Sequence, residues 1–215
     1  YKVLKNKGNY NNHIGVPLTV FQLRPEHEVA IFEMGMSELN EIERLCNIVK
    51  PDIGVITNIG LSHIENLGTQ ENIFKAKLEI TGGFDSVENI LIANGDDRFL
   101  KRLRTQVTPY KKYFIGAGEG CDFKINSINN IGEDVISFRA AIQGQEHDFT
   151  LQVPGKHNIY NSLYAIATGH ILGVEINKIH KGLQEFMKDP MRLNIFTTDN
   201  DIKIINDAYN ASPDS

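Results

Sequence analysis

The stretch PDIGVITNIGLSHIENLGTQENIFKAKLEI, residues 51–80, decides the fold that this sequence predicts. It opens with the β-branched apolar residues of a buried strand, which is closed by Thr57-Asn58. A short loop with His63 follows, and then an amphipathic helical pattern that carries Lys75 and Lys77. An apolar strand, a polar loop at its carboxyl end and a helix behind it is the arrangement in which an open α/β sheet presents a ligand site.

The alternation of strands and helices extends on both sides of this stretch. The sequence predicts a helix over about residues 37–49 and buried strands at 29–32, 90–93 and 113–115. Strands that alternate with helices imply a mainly parallel open sheet flanked by helices, which is an α/β fold.

The pattern changes after Gly116. Three β-rich stretches, at about 122–129, 134–142 and 147–153, predict a small antiparallel β subdomain. Two helices at about 158–172 and 176–187 follow, and then a hairpin of strands at about 193–198 and 202–206. Ser212-Pro213 has the pattern of a helix start, so we expect the chain to be a fragment.

Composition restricts the class of protein. Of the 215 residues, 41% are hydrophobic and 23% are charged, which is ordinary for a globular protein. The net charge of −5 argues against a nucleic-acid partner, and no apolar run approaches the roughly 18 residues of a membrane span. Cys46 and Cys121 lack the spacing of a metal or disulfide motif, which indicates a reducing compartment. We therefore expect a cytoplasmic protein, a monomer, without nucleic-acid or membrane partners.

Three side chains are placed where such a sheet binds ligands. Glu33 and His63 follow successive predicted strands, and Lys77 lies on the helix after the second of them. Together they could form a metal site that shares its cation with phosphate groups, although histidine is an unusual ligand for Mg²⁺. The alternative is a capping or salt-bridged carboxylate, a loop histidine and a solvated lysine.

Asn158 and Asn161 lie three residues apart at a predicted helix start, so they share one face. Their amides could donate to and accept from the edge of a purine. Taken alone, the residues favour a simpler interpretation, in which Asn158 is the N-cap and Asn161 is an exposed polar residue.

The sequence lacks the loop that most often binds phosphate. The glycine-rich stretch 116–120 leads into β-like sequence, so it is predicted to be a turn and not a dinucleotide loop. No GxxxxGKS or GxxxxGKT motif occurs in the chain, although an ATP site in this architecture needs one.

Several motifs together resemble the Mur ligase family of cell-wall enzymes. In chain order they are KGNYNNHIGVPLT (7–19), EMGM (33–36), PDIGVITNIGLSH (51–63), AKLEI (76–80), PGKHNIYNSLYA (154–165) and DAYNASPDS (207–215). Within the family, EMGM and DAYNASPDS are similar to the branch that adds D-alanyl-D-alanine (D-Ala-D-Ala) to UDP-N-acetylmuramoyl-tripeptide. The TNxxxxH and AK elements are shared more widely, including with folylpolyglutamate synthases.

The resemblance implies a role for each candidate residue. Glu33 matches a glutamate that binds Mg²⁺, His63 a histidine near a second Mg²⁺, and Lys77 a lysine carbamylated by CO₂, which then offers oxygen ligands. These three residues would be catalytic as well as metal-binding. The ATP-binding residues would be Asn158 and Asn161 at the adenine and, closing over the nucleotide, Arg192, Asp207, Tyr209 and Asn210. The residues near the UDP-sugar substrate and the phosphates would be Asn9, Asn11 and Asn12.

The resemblance also implies the boundaries and the reaction. Residues 1–188 would be the phosphate-loop-type central ATP-binding domain without its phosphate loop, and residues 189–215 would begin the C-terminal domain. The missing parts would precede residue 1 and follow residue 215, and the fragment alone would be inactive. The implied reaction is ATP-dependent amide bond formation through an acyl phosphate, in peptidoglycan synthesis and hence in cell shape and division. The alternatives are a folylpolyglutamate synthase-like ligase and a non-catalytic nucleotide-binding domain.

Overall fold

The computed structural model describes residues 1–132, 135–186 and 194–208, which fall into two compact units. Unit 1 comprises Tyr1–Leu91 and Arg102–Lys112. Unit 2 comprises Ile92–Lys101 and the described residues from Tyr113 onward. The predicted helix start at 212–213 and the predicted domain boundary at 188/189 lie outside the described residues.

Unit 1 contains the candidate metal residues Glu33, His63 and Lys77. Its elements are β1 (Val3–Lys5), α1 (Gly15–Val20), β2 (Val29–Ile31), α2 (Glu41–Val49), β3 (Ile53–Ile56), α3 (Ile64–Leu67), α4 (Gln70–Leu78), a 3-10 turn (Glu79–Gly83) and the start of β4 (Ile90–Asn94). Its buried core is apolar and includes Val16, Ile42, Leu45, Cys46, Ile56, Ile73 and Phe74. A further 3-10 segment spans Leu100–Thr105.

The helix that was predicted from about residue 37 begins four residues later. The carboxylate of Glu41 accepts hydrogen bonds from the backbone N–H groups of Ser37 and Glu38, which holds residues 37–40 in a turn before α2 and keeps the pKa of Glu41 below its usual value. Asn40 then adopts a left-handed conformation with φ of 67°. The helix therefore starts at Glu41, and the side chain of Leu39, which precedes it, is 42% exposed.

The strand predicted as buried at 29–32 is instead largely exposed. Within the described residues, β2 pairs in parallel only with β1, with Val29 opposite Val3 and Ile31 opposite Lys5. In this two-stranded sheet the Ile31 side chain is 53% exposed and that of Val3 is 47% exposed. The apolar composition identified a strand correctly but not its burial, because burial depends on what else covers the sheet.

Unit 2 contains the antiparallel part of the fold. Its elements are the remainder of β4, β5 (Lys111–Gly116) from Tyr113 onward, β6 (Phe123–Ile131), β7 (Ile136–Ile142), β8 (Gln145–Leu151), α5 (His157–Ile171), α6 (Ile176–Gln184), β9 (Asn194–Thr197) and β10 (Lys203–Asn206). Within this unit, β6, β7 and β8 are adjacent in that order. β5 pairs with β6 in parallel, whereas β6, β7 and β8 pair antiparallel, and so do β9 and β10. The predicted α/β class with an antiparallel β part is confirmed.

The core of unit 2 explains why α5 forms where the sequence predicts it. The inward face of α5 buries Ile159, Leu163 and Ile166 completely. Phe123, Phe138 and Phe149 on the meander strands are also fully buried. Each such side chain contributes about 1.5–3 kcal/mol by leaving water. No helix within the described ranges is long and apolar enough to cross a membrane.

Candidate functional site

In unit 1 two asparagine side chains from the loop between β1 and α1 hold Glu33, one at its backbone and one at its carboxylate. The backbone N–H of Glu33 donates to Asn6 Oδ1 at 3.0 Å, and Asn6 Nδ2 donates to the Glu33 carbonyl at 3.2 Å. Asn11 Nδ2 donates to Glu33 Oε1 at 2.9 Å. The side chain of Glu33 is exposed, so one carboxylate oxygen is fixed while the carboxylate as a whole faces solvent.

Gly35 explains why a glycine follows the glutamate so closely. Its N–H donates to the Asn11 carbonyl at 2.8 Å, and a Cβ at this position would lie 3.1 Å from the Asn11 side-chain amide. A larger residue would therefore push the amide that orients Glu33. The segments KGNYNN and EMGM, which are distant in sequence, are therefore in contact through Asn11 and Gly35.

The other two asparagines of the loop have different surroundings. Asn12 Oδ1 accepts from the N–H groups of Ile14 at 3.0 Å and Gly15 at 2.9 Å, so it supports the first turn of α1. Asn9 is exposed, and its carbonyl accepts from Asn11 N–H at 2.8 Å. Substrate binding by Asn9, Asn11 and Asn12 stays a prediction.

Lys77 reaches the carboxyl end of β3. Thr69 caps α4 by accepting from Asn72 N–H at 3.2 Å, and this helix buries Ile73, Phe74 and Ala76. Lys77 is half-buried on α4, and its Nζ donates to the Asn58 carbonyl at 2.7 Å. Lys75, two residues earlier, is exposed. The structure thus gives the two lysines different surroundings, and the role of Lys77 stays a prediction.

His63 lies at the start of α3, in the loop that follows β3. Its backbone is left-handed with φ of 65° and its side chain is exposed. The carbonyls of Ile59 and Gly60 in the same loop are held by Gln70 Nε2, at 3.1 and 3.5 Å. The loop is therefore anchored to α4 while the imidazole remains accessible.

The donor atoms fit a hard cation only if Lys77 is modified. In the described part of the chain, no three His, Cys, Asp or Glu side chains are arranged to hold a metal ion. Glu33 and His63 would supply two ligands, and a carbamate on Lys77 would add oxygens of the kind that Mg²⁺ prefers. A carbamate keeps one N–H on Nζ, so the hydrogen bond to Asn58 is compatible with the modification. Mg²⁺ binding by Glu33, His63 and carbamylated Lys77 stays a prediction.

In unit 2 the two asparagines of α5 form a connected pair. Asn158 Nδ2 donates to the Pro154 carbonyl at 2.6 Å, and Asn161 Nδ2 donates to Asn158 Oδ1 at 3.2 Å. The interpretation of Asn158 as the N-cap is wrong, because α5 starts one residue earlier and its N-cap position is Lys156. The two amides share one face, as their spacing predicted, and Asn161 is exposed.

Asp96, which follows β4, is a further polar residue of unit 2 that the sequence motifs did not indicate. Its carboxylate accepts hydrogen bonds from the backbone of the glycine-rich turn at 116–118 and from the Tyr160 hydroxyl on α5. The signal that could have found it is the polar NGDD segment at the end of a buried strand, the kind of position where open α/β sheets carry function.

The remaining predicted nucleotide residues lie near or beyond the limit of the described structure. Asp207 is exposed and follows β10. Arg192, Tyr209 and Asn210 lie outside the described residues. Their roles stay predictions.

Comparison with known protein families identifies the family of this chain. Residues 1–169 match the family model described as the Mur ligase middle domain. This match covers well over half of the chain, and the chain therefore belongs to the Mur ligase family. The resemblance that the sequence motifs indicated is confirmed.

Two curated relatives share one name. The chain is 41% identical, over all 215 residues, to the UDP-N-acetylmuramoyl-tripeptide–D-alanyl-D-alanine ligase of Bacillus subtilis (strain 168), and covers 45% of that protein. It is 29% identical over 210 residues to the enzyme of the same name from Escherichia coli (strain K12), with 97% of this chain and 46% of that protein covered. The chain thus spans about half the length of these curated relatives.

Solved structures agree with the sequence relatives. A crystal structure of MurF from Acinetobacter baumannii matches with a TM-score of 0.91 and 30% identity, over 99% of this chain and 46% of that one. MurF ligase from Thermotoga maritima in complex with ADP matches with a TM-score of 0.85 and 27% identity, over 99% of this chain and 48% of that one. Folylpolyglutamate synthase from Thermotoga maritima, at 19% identity and a TM-score of 0.63, shares the fold alone.

Proposed function

We propose that the protein to which this chain belongs is an ATP-dependent ligase of peptidoglycan precursor synthesis. It would join D-Ala-D-Ala to UDP-N-acetylmuramoyl-tripeptide. The observation that carries the proposal is the 41% identity, over every residue of this chain, to a ligase with that name. A cytoplasmic location, a monomeric state and roles in cell shape and division belong to the same proposal. So does the division into a central domain at 1–188 and the start of a C-terminal domain at 189–215.

Unit 1 supplies the metal-binding groups in this proposal. Glu33, His63 and carbamylated Lys77 hold Mg²⁺, and Asn11 orients the glutamate through its hydrogen bond of 2.9 Å. When bound, Mg²⁺ offsets the negative charge that develops on oxygen atoms during phosphoryl transfer. An oriented ligand loses less entropy when the cation binds, which favours a fixed Asn11–Glu33 pair.

Unit 2 supplies the adenine-binding groups. Asn158 is fixed by Pro154 and by Asn161, so its amide is already oriented before a nucleotide arrives. Amide groups can donate and accept at the edge of a purine. Arg192 and Asp207 complete the nucleotide site in this proposal, with Tyr209 and Asn210 beside them. The ADP complex of the Thermotoga maritima protein supports the choice of an adenine nucleotide.

The reaction consists of two transfers. A carboxylate oxygen of the tripeptide attacks the γ-phosphorus of ATP, and ADP leaves. The amine of D-Ala-D-Ala then attacks the acyl carbon, and phosphate leaves with the oxygen that the carboxylate contributed. The chain's own residues mainly position the reactants, while Asn9, Asn11 and Asn12 contribute to the side that holds the UDP-linked substrate.

Omission of one substrate at a time tests this proposal on the full-length protein. Phosphate release should require ATP, UDP-N-acetylmuramoyl-tripeptide and D-Ala-D-Ala together. The same protein supplied with a folate and L-glutamate should release none, which separates the proposal from a folylpolyglutamate synthase-like ligase. ATP binding without phosphate release under any combination would instead indicate a non-catalytic nucleotide-binding protein.

A further inference from the structure

Asp96 joins three separate segments of unit 2. Its Oδ2 accepts from Ala117 N–H at 2.7 Å and from the Tyr160 hydroxyl at 2.9 Å, and its Oδ1 accepts from Gly118 N–H at 2.8 Å. Asp96 N–H in turn donates to Asn94 Oδ1 at 2.9 Å. The carboxylate therefore connects the end of β4, the turn after β5 and the first turn of α5.

The glycines of the turn allow this arrangement. A Cβ on Gly116 would come within 2.5 Å of Asp96 Oδ2, and a Cβ on Gly118 within 2.6 Å of Asp96 Oδ1. Gly116 also has φ of 150°, which side chains disfavour. The glycine-rich stretch is a turn, as the sequence predicted, but its composition is explained by the carboxylate that it encloses.

Tyr160 connects the Asp96 carboxylate to the helix turn that carries Asn158 and Asn161. It lies in the first turn of α5 between Asn158 and Asn161, and its ring is half-buried. Burial, with a smaller contribution from Asp96, raises the pKa of Tyr160 to about 12. The hydroxyl is therefore a hydrogen-bond donor throughout the neutral range. A charged acceptor makes this a strong hydrogen bond.

We propose that Asp96 and Tyr160 are positioning residues that fix the first turn of α5 so that Asn158 and Asn161 meet the adenine of ATP. This proposal rests on the proposed function. Neither residue needs to touch the nucleotide. They order the helix turn before ATP binds, so that less conformational entropy is lost on binding.

Two substitutions separate the parts of the arrangement. Tyr160→Phe removes the hydroxyl and leaves the bonds from Asp96 to the glycine turn intact. Asp96→Ala removes the carboxylate, and with it the hydrogen bonds from Ala117, Gly118 and Tyr160. Tyr113→Phe is the matched control, because its ring contacts Phe123 in the same unit, at a centroid distance of 6.1 Å, and has no part in the arrangement.

The experiment measures ATP affinity and backbone order on the full-length protein. Tyr160→Phe should weaken ATP binding by about tenfold or more, the effect of one hydrogen bond to a charged group, without changing the KM for D-Ala-D-Ala. The double variant should bind ATP no more weakly than Asp96→Ala alone, since both changes remove one shared interaction. Tyr113→Phe should match the wild type.

Hydrogen exchange of the nucleotide-free protein provides a second measurement. Amides 161–164 donate to carbonyls of the first turn of α5, so Tyr160→Phe should speed their exchange while α6 remains unchanged. Unchanged exchange at 161–164, or wild-type ATP affinity in Tyr160→Phe, would overturn the positioning role and leave the proposed function intact. Failure of the wild type to bind ATP would overturn the proposed function itself.

Discussion

Lys77 and Lys75 show how two identical side chains on one short helix acquire different chemistry. They are two residues apart, which places them about 200° apart around α4. Lys75 projects into solvent, whereas Lys77 is half-buried with its nitrogen 2.7 Å from the Asn58 carbonyl. Only Lys77 lies at the carboxyl end of a strand, where a modified side chain could meet a cation and phosphate groups.

Lys77→Ala should reduce turnover of the full-length enzyme by a hundredfold or more, roughly the cost of removing one electrostatic stabiliser of a transition state. Short carboxylic acids added to the variant should restore part of the rate, because a carboxylate can replace the negative oxygens of a carbamate. Lys75→Ala is the control and should retain the wild-type rate. A Lys77→Ala enzyme with full activity, or one that no acid restores, would contradict the carbamate role.

Asn11→Ala should raise the Mg²⁺ concentration that gives half-maximal rate by about tenfold or more, the usual effect of losing a group that orients a metal ligand. The cause would be a Glu33 carboxylate that is no longer held. Asn126→Ala is a matched control, since Asn126 Nδ2 donates to Glu146 Oε1 at 2.7 Å in another amide–carboxylate pair. An unchanged Mg²⁺ dependence in Asn11→Ala would rule out this role for Asn11.

At the scale of elements, the local sequence pattern located the helices whose position depends on local interactions. The amphipathic pattern of α4 and the apolar face of α5 were sufficient to locate both helices, because burial of one face decides a helix. The start of α2 was missed because Glu41 binds back to Ser37 and Glu38. The exposure of β2 depends on its sheet neighbours, which a run of apolar letters does not specify.

In the candidate site, too, contacts between residues close in sequence could be predicted and contacts between distant residues could not. The pairing of Asn158 with Asn161 could be predicted, because three residues span one helix turn. The contact between Asn11 and Glu33 joins residues 22 apart, and that between Asp96 and Tyr160 joins residues 64 apart. Contacts at such separations follow from the fold and not from the spacing of residues, so the sequence predicted neither of them.

The packing of α2 makes a prediction about its cysteine. Cys46 is completely buried, and burial, with a smaller contribution from Glu79, raises the pKa of its thiol to about 12. Since the thiolate is the reactive form, a disulfide reagent at pH 8 should modify Cys121 and leave Cys46 untouched until the protein unfolds. In Cys121→Ser, no cysteine within residues 1–215 should react in the native protein, and modification of Cys46 before unfolding would contradict the packing.

The same raised pKa gives the sign of a pH effect on stability. An unfolded thiol ionises near its ordinary pKa of 9.0, while the native Cys46 thiol keeps its proton to about pH 12. The native state therefore binds more protons in this window, and its free energy of unfolding falls as the pH rises. Denaturant titrations between these pH values should show that the free energy of unfolding falls more steeply with pH for wild type than for Cys46→Ala. Equal slopes would contradict the assignment.

At the scale of the whole molecule, this chain holds part of what the proposed reaction needs. It spans about half the length of its curated relatives, and none of its 215 residues forms a GxxxxGKS or GxxxxGKT phosphate loop. Residues 1–215 expressed alone should therefore release no phosphate that depends on both UDP-N-acetylmuramoyl-tripeptide and D-Ala-D-Ala. The full-length protein is the positive control, and substrate-dependent turnover by residues 1–215 would contradict this division.

The central claim is that the protein activates a carboxylate by phosphoryl transfer and then forms an amide bond. The most direct measurement uses UDP-N-acetylmuramoyl-tripeptide whose reacting carboxylate carries a heavy oxygen isotope, with the full-length protein, ATP and D-Ala-D-Ala. If the carboxylate attacks the γ-phosphorus, one labelled oxygen leaves with phosphate when the amine displaces it, and mass spectrometry should find the label in the released phosphate. Unlabelled phosphate, released while the amide product forms, would contradict the account.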